Sequence, residues 1–258
     1  MAGGVKSCVA AGVAIVDKDR PGALVFFRKA CDGKVPEGCL NAAILVDGST
    51  PRDAALAATL FRKACDGKLQ PACGKLALLL ARGDGVPADA AQAITLLDPI
   101  CQTGDAPACM NLGMLAEKEG DLARAQPAYD KACTGKIPPA CSALAAILLH
   151  GKDVTPDPTR AATLDQQACD AGDMRGCTDL GAQLADATSK THDYPRAAAL
   201  LEKGCSGGQP VACYGLSILT ESGRGVKKDA ARAKALAKQA CDAQYTPACA
   251  PAPTSKKH

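Results

Sequence analysis

Fourteen of the fifteen cysteines fall into seven pairs, and the members of every pair stand eight positions apart: Cys31/Cys39, Cys65/Cys73, Cys101/Cys109, Cys133/Cys141, Cys169/Cys177, Cys205/Cys213 and Cys241/Cys249. The first cysteines follow one another at intervals of 34, 36, 32, 36, 36 and 36 residues. A period of this size sustained along a chain means an array of small units, each of which buries its apolar face only against its neighbours. Two further positions keep step with the first cysteine. Twelve residues before it stands an aspartate (Asp19, Asp53, Asp89, Asp121, Asp157, Asp193, Asp229) and eight before it an alanine (Ala23, Ala57, Ala93, Ala125, Ala161, Ala197, Ala233).

Aspartate is a strong helix N-cap, because its carboxylate accepts from the unpaired amides of the first turn. Asp157-Pro158 adds proline at the first helical position, and Asp89 with Gln92 forms an Asp-led variant of a capping box. Each unit is therefore predicted to hold a helix, B, of constant length from its aspartate to its cysteine. The fixed alanine marks a place where a neighbouring helix comes close. The core side chain is expected five residues before the cysteine, at Phe26, Leu60, Leu96, Ala128, Leu164, Leu200 and Leu236. Between paired cysteines the residues read as a stop and a restart. Gly33 ends one helix, and Pro36, like Pro71, Pro107, Pro138, Pro210 and Pro247, opens the next. This second helix, A, carries apolar residues three, four and seven positions after its cysteine, as in Leu112, Gly113 and Ala116. Length varies only between the second cysteine and the next aspartate, from 11 to 16 residues, as a stack of helical hairpins permits.

Composition narrows the function classes. The chain is 47% hydrophobic, but no apolar run approaches the ~18–20 residues of a membrane helix, so no membrane insertion is expected. A formal charge of +3 gives no electrostatic case for nucleic acid, and four Tyr, three Phe and no Trp offer few stacking platforms.

Gly83-Asp84-Gly85-Val86 before Asp89, Gly223-Arg224-Gly225-Val226 before Asp229, and the Leu112-Gly113 and Leu180-Gly181 pairs resemble the turn and helix A of the Sel1-like repeat family, a relative of the tetratricopeptide repeat. The paired cysteines make the chain similar to the subset typified by the Helicobacter cysteine-rich proteins, in which each such pair is a disulfide. The resemblance covers residues 8–249. Residues 39–65 lack the Gly-x-Gly-Val turn, 109–133 are shortened, and 177–193 carry Ala-Thr-Ser-Lys-Thr-His instead. It implies an all-α, right-handed α/α solenoid of helical hairpins, about seven units with the first truncated, forming one domain over 1–250. It also implies that each inter-repeat joint is closed by a disulfide. Residues 251–258, rich in proline and polar residues, read as a flexible tail.

Three readings of the cysteines remain open at this point. A disulfide across eight residues fits a chain that turns back on itself, with Cα atoms ~5.5–6 Å apart. It would contribute roughly 2–3 kcal/mol per bridge by loop entropy. Reduced core thiols are the second reading. A metal site is the third, although His150, His192 and His258 are the only histidines and none keeps the repeat phase. The disulfide reading is favoured and no cofactor or metal is expected. It places the chain in an oxidising, extracytoplasmic space: bacterial periplasm, cell surface or exterior. Residues 1–6 show no signal-peptide pattern. Cys8 occupies a second-cysteine slot whose partner would fall at position zero. It reads as half of a pair cut from a longer secreted precursor, or alternatively as a natural free thiol in a capping unit.

Searches for chemistry find no Ser-x-x-Lys, Gly-x-Ser-x-Gly, His-Glu-x-x-His or Walker loop, so no catalytic residue is assigned. Gly83/Gly85 and Gly223/Gly225 read as hairpin turns. His150 reads as a favourable charge at a helix C-terminus, and His192 as a solvated loop residue. By analogy with the tetratricopeptide fold, a concave surface would be lined by residues one, two, five and nine positions after the second cysteine. The partner-binding candidates are Asn41, Lys75, Arg82, Met110, Asn111, Met114, Lys118 and Tyr214. Lysine and arginine suit the carboxylates of an extended peptide and asparagine suits its backbone, while the alternative is that these residues only solvate the face. The expected function is a non-enzymatic, monomeric scaffold that binds a protein or peptide. The alternative implied by the resemblance is a penicillin-binding or weakly β-lactamase-like protein.

Overall fold

The computed structural model describes residues 2–152, 154–188 and 192–249. All seven repeat aspartates act as predicted. Each side chain accepts a hydrogen bond from the backbone amide three residues on, at Gly22, Leu56, Gln92, Arg124, Arg160, Arg196 and Arg232, over 2.8–3.1 Å. The backbone N–H of Asp89, Asp157, Asp193 and Asp229 also donates to a carbonyl near the end of the preceding helix A, which fixes where one helix stops and the other starts.

The helices run, in chain order, α1 (Ala2–Ile15), α2 (Arg20–Asp32), α3 (Pro36–Asp47), α4 (Ala54–Asp66), α5 (Gln70–Arg82), α6 (Ala90–Gln102) and α7 (Ala106–Lys118). They continue as α8 (Leu122–Thr134), α9 (Pro138–His150), α10 (Pro158–Asp170), α11 (Met174–Ala185), α12 (Tyr194–Ser206), α13 (Pro210–Ser222) and α14 (Ala230–Asp242). A single 3₁₀ turn, Thr246–Ala248, follows. Odd-numbered helices are A and even-numbered ones B. Every B helix is 13 residues long, as the fixed Asp-to-Cys spacing requires. No strand occurs among the described residues. The chain divides into two compact units, Met1–Gly135 and Lys136–His258, each an all-α stack of consecutive hairpins. The predicted tail at 251–258 lies outside the described residues.

The fixed alanines are buried in all seven hairpins. The expected −5 side chain of helix B is buried in five of the seven helices, and a second core column stands one residue later. Position −4 from the first cysteine, one turn after the fixed alanine, holds Phe27, Phe61, Leu97, Tyr129 and Leu201, all almost wholly buried. At −5, Phe26 is 37% exposed and Leu96 half-buried, whereas Leu60, Ala128, Leu164, Leu200 and Leu236 are buried. The physical reason is helical phase. Positions −8, −4 and −1 form one stripe (Ala23, Phe27, Ala30), and −5 sits at its edge.

Opposite this stripe stands the residue four after the second cysteine in the preceding helix A. It is small because a Cβ at Gly12 would lie 2.5 Å from the Phe27 ring, at Gly113 2.6 Å from Tyr129 and at Gly181 2.9 Å from Leu201. The second glycine of each Gly-x-Gly turn is a packing device too. A Cβ at Gly85 would lie 2.3 Å from the backbone of Ala54, and one at Gly225 2.2 Å from that of Tyr194, so these turns seat on the preceding helix B.

The cysteines are oxidised in the nearest-neighbour order: Cys31–Cys39, Cys65–Cys73, Cys101–Cys109, Cys169–Cys177, Cys205–Cys213 and Cys241–Cys249 are bridged. Cys133 and Cys141 are also in disulfide form. Each described bridge joins the end of a B helix to the start of the next A segment. The Cα separations of 4.5–4.8 Å are shorter than the expected 5.5–6 Å. The residue before the second cysteine explains the closeness: a Cβ at Gly38 would meet Ala30 Cβ at 2.5 Å, and one at Gly176 would meet Ala168 Cβ at 2.7 Å. At these two joints a glycine is required, and the other five carry the next smallest residue, alanine. Cys8 is a free thiol, buried, with its Sγ 3.2 Å from the Gly4 carbonyl.

Candidate functional site

Within each unit the A helices of successive hairpins touch: α1 with α3 and α5 with α7 in the first, α9 with α11 and α11 with α13 in the second. No two successive B helices within a unit approach as closely among the described residues. The A helices therefore line the inner side of each stack, and the residues that point away from their B partners form its face.

In the first unit this face carries the same side-chain types at matching heights. Two positions after the cysteine stand Asn41, Lys75 and Asn111, on α3, α5 and α7. Five positions after it stand Ile44, Leu78 and Met114, and nine after it, on α5 and α7, Arg82 and Lys118. Lys75, Arg82 and Lys118 are exposed, and Asn41, Met110 and Asn111 are half-buried. None of the three cations, and neither amide, has a side-chain hydrogen bond or ion pair among the described residues. Ile44 is 50% exposed and Met114 44%. Elsewhere in this unit charge is spent internally. Arg52 bridges Asp47 and Asp84 at 2.6–2.8 Å, and the hydrogen bond it donates to Asp84, then that to Asp47, raises its pKa. Tyr129 Oη donates to Glu117 at 2.6 Å.

The eighth candidate, Tyr214, lies in the second unit, where its ring packs against Tyr245 with centroids 5.6 Å apart. The corresponding inner face there is different in charge: Asp179 stands at the position of Lys75 and Asn111, and Asp186 at that of Arg82 and Lys118. An open groove of about 1190 Å³ is walled by α9, α10, α11 and the start of α12, and lined among others by His150, Arg175, Asp179, Gln183 and Asp186. Arg175 pairs with Asp179 over 3.4 Å. Burial raises the pKa of Asp179, and the Arg175 charge opposes that shift. Asp186 accepts from the hydroxyl and amide of Thr188, which lower its pKa. His192 sits against Tyr194, ring centroids 5.1 Å apart.

Beside the groove the structure reveals a pair that sequence reading missed. Asp165 occupies the −4 core position and is 0% exposed. Its Oδ2 accepts from Gln183 Nε2 at 2.8 Å and its Oδ1 has no partner. Gln183 replaces the aliphatic residue that Leu79, Leu115, Ile147 and Leu219 supply at the same height. The signal was available: at −4 only this unit carries a charged residue. No group of three or more His, Cys, Asp or Glu among the described residues is placed to hold a metal.

Hairpins of constant B length, small-to-large locks and joints stapled by local disulfides define a helical-repeat scaffold. The chain belongs to the Sel1 repeat family, a family of scaffolds that commonly serve protein interaction. The family model matches residues 7–35, 36–69, 70–102, 138–173, 177–209 and 210–245, most of its length. The α7–α8 hairpin, with the shortened connection noted in the sequence, falls between these matches. Among solved structures, a protective antigen of uropathogenic Escherichia coli displaying an SLR fold superposes with a TM-score of 0.82 at 20% identity. It covers 95% of this chain, which spans 55% of that one. A Sel1 repeat protein from Oxalobacter formigenes superposes with a TM-score of 0.67 at 24% identity, over 91% of this chain and 99% of its own. Helicobacter pylori cysteine rich protein B matches half of this chain and 92% of its own at 24% identity, with a TM-score of 0.40. At these identities the likeness is one of fold. No curated protein sequence matches significantly. The bridges point to an oxidising environment outside the cytoplasm. Among the described residues no helix is long and apolar enough to cross a membrane.

Proposed function

We propose that the chain is a non-enzymatic, monomeric scaffold of the periplasm, cell surface or exterior that holds an extended, acidic protein segment. The binding surface is the inner face of α3, α5 and α7. The observation that carries this reading is the set of unspent groups there: among the described residues Lys75, Arg82 and Lys118 have no carboxylate partner and Asn41 and Asn111 no side-chain hydrogen bond, beside exposed Ile44 and Met114. The cations supply ion pairs to side-chain carboxylates, the amides donate to and accept from a peptide backbone, and the apolar side chains give contact area. Met110, half-buried on α7, adds apolar area to this face. Tyr214 is a candidate contact of the second unit, taken by itself.

The test is fluorescence anisotropy with a labelled peptide of alternating glutamate and leucine, titrated with the protein at low and high salt. Binding should weaken with salt, as exposed ion pairs do. Lys75→Glu with Lys118→Glu should weaken it by about tenfold or more, because two attractions become repulsions. Equal affinity of the double variant and the parent would overturn the assignment. A chromogenic β-lactam assayed in parallel should show no turnover.

A further inference from the structure

In six of the seven B helices the −4 position is apolar, and from α2 to α12 every other occupant is a Phe, Leu or Tyr that fills the space over the preceding helix A. In α10 that occupant is Asp165, wholly buried, in the joint that α9, α10 and α11 make with one another. Among the described residues no cation forms an ion pair with it. From α11, Gln183 donates one hydrogen bond to Oδ2, while Oδ1 has no partner. Asp179 and Asp173, also on or capping α11, carry its own sign, and Arg175 is the single opposing cation, already paired with Asp179. From α9, Ser142 gives its hydroxyl to Asp173 at 2.5 Å, and His150 acts on Asp179. On α10 itself Gln166 is taken up by Asp170 and by Arg196 of α12.

We propose that the α10–α11 joint is a pH-sensitive element of the scaffold, closed while Asp165 holds a proton and loosened when it ionises. A buried carboxyl with one neutral donor and two like charges nearby is stable only in its uncharged form. Burial, then the charge of Asp179, pushes its pKa up to about 8, against 3.8 for the free side chain. Because the folded value lies above the unfolded one, the folded chain retains a proton that the unfolded chain gives up. The stability from this site is complete below about pH 4, declines as pH rises and is gone above about pH 8. The next B helix, α12, has Leu201 at the same position and so carries no buried carboxyl there.

Two measurements test the joint in the whole, oxidised chain. Carboxyl-carbon NMR of Asp165 should show a midpoint near 8, and a midpoint below 5 would overturn the proposal. Amide exchange between pH 5 and 8, corrected for its intrinsic pH dependence, should speed up in α10 and α11 by up to about tenfold per pH unit. Helices α13 and α14 should not follow. Asp165→Asn should abolish that excess while leaving exchange elsewhere unchanged, and Asp165→Leu, which restores the residue type of Leu97 and Leu201, should do the same. Excess exchange that persists in these variants, or is spread evenly over the chain, would sink the idea.

Discussion

Four non-glycine side chains sit where the backbone turns left-handed: Lys34, Lys68, Lys136 and Gln244, with φ between 58° and 66°. All stand three residues after the first cysteine of a pair, where Gly104, Gly172 and Gly208 take the same conformation at ease. The glycine one residue earlier, Gly33 or Gly67, ends its helix as the sequence indicates, but φ there is −78° and −75°. It is glycine for space: a Cβ at Gly67 would lie 2.4 Å from Pro36, and one at Gly33 2.2 Å from Val5. The helix stop is therefore legible in the sequence, whereas its cause lies in the paired helix A of the same hairpin, about thirty residues earlier, which no local motif displays. Lys68→Gly should raise stability by about 0.5–1 kcal/mol, because relief of the left-handed strain exceeds the added freedom of the unfolded chain. A thermal melt compared with the parent at equal pH checks this, and a lower midpoint would count against strain at that residue.

At the scale of elements, the small residue of helix A and the large one of helix B act as a lock. Gly113 admits the ring of Tyr129, whose hydroxyl donates to Glu117 on the same helix A. Gly113→Ala should cost about 1–3 kcal/mol by overpacking. Tyr129→Leu should also destabilise, yet the double variant should lose less than the sum, because the shorter side chain leaves room for the added methyl. Additive losses in a double-mutant cycle would show that the two positions do not meet. The sequence placed Gly113 on the apolar stripe of helix A, but the ring it admits is seen only in the structure. The B-helix half was read only at −5, which is core in five of the seven helices, whereas the −4 column that fills the space over helix A is chemically mixed: Phe, Phe, Leu, Tyr, Asp, Leu, Ala. Phase against the invariant alanine brings out that second column. It also shows Asp165 as the anomaly, which a search for catalytic motifs passes over.

For the molecule as a whole, the cysteine rhythm made the covalent pattern and the hairpin architecture readable, and Cys8 stood out as the odd thiol. The inner face was readable only as positions. Which of its polar groups are already engaged depends on contacts between repeats, such as Arg52 reaching Asp84 across 32 residues. Alkylation of the denatured, unreduced chain should add a single label, at Cys8, and reduction should lower the unfolding midpoint, since each bridge contributes about 2–3 kcal/mol. Labels elsewhere before reduction would contradict the bridging pattern. Every described bridge closes a stretch of eight residues at a B-to-A joint and none spans an A-to-B connection. A protease that cuts once within 223–229 thus parts the chain into two covalently independent pieces with all sulfurs still oxidised, whereas a cut between Cys205 and Cys213 leaves them tethered.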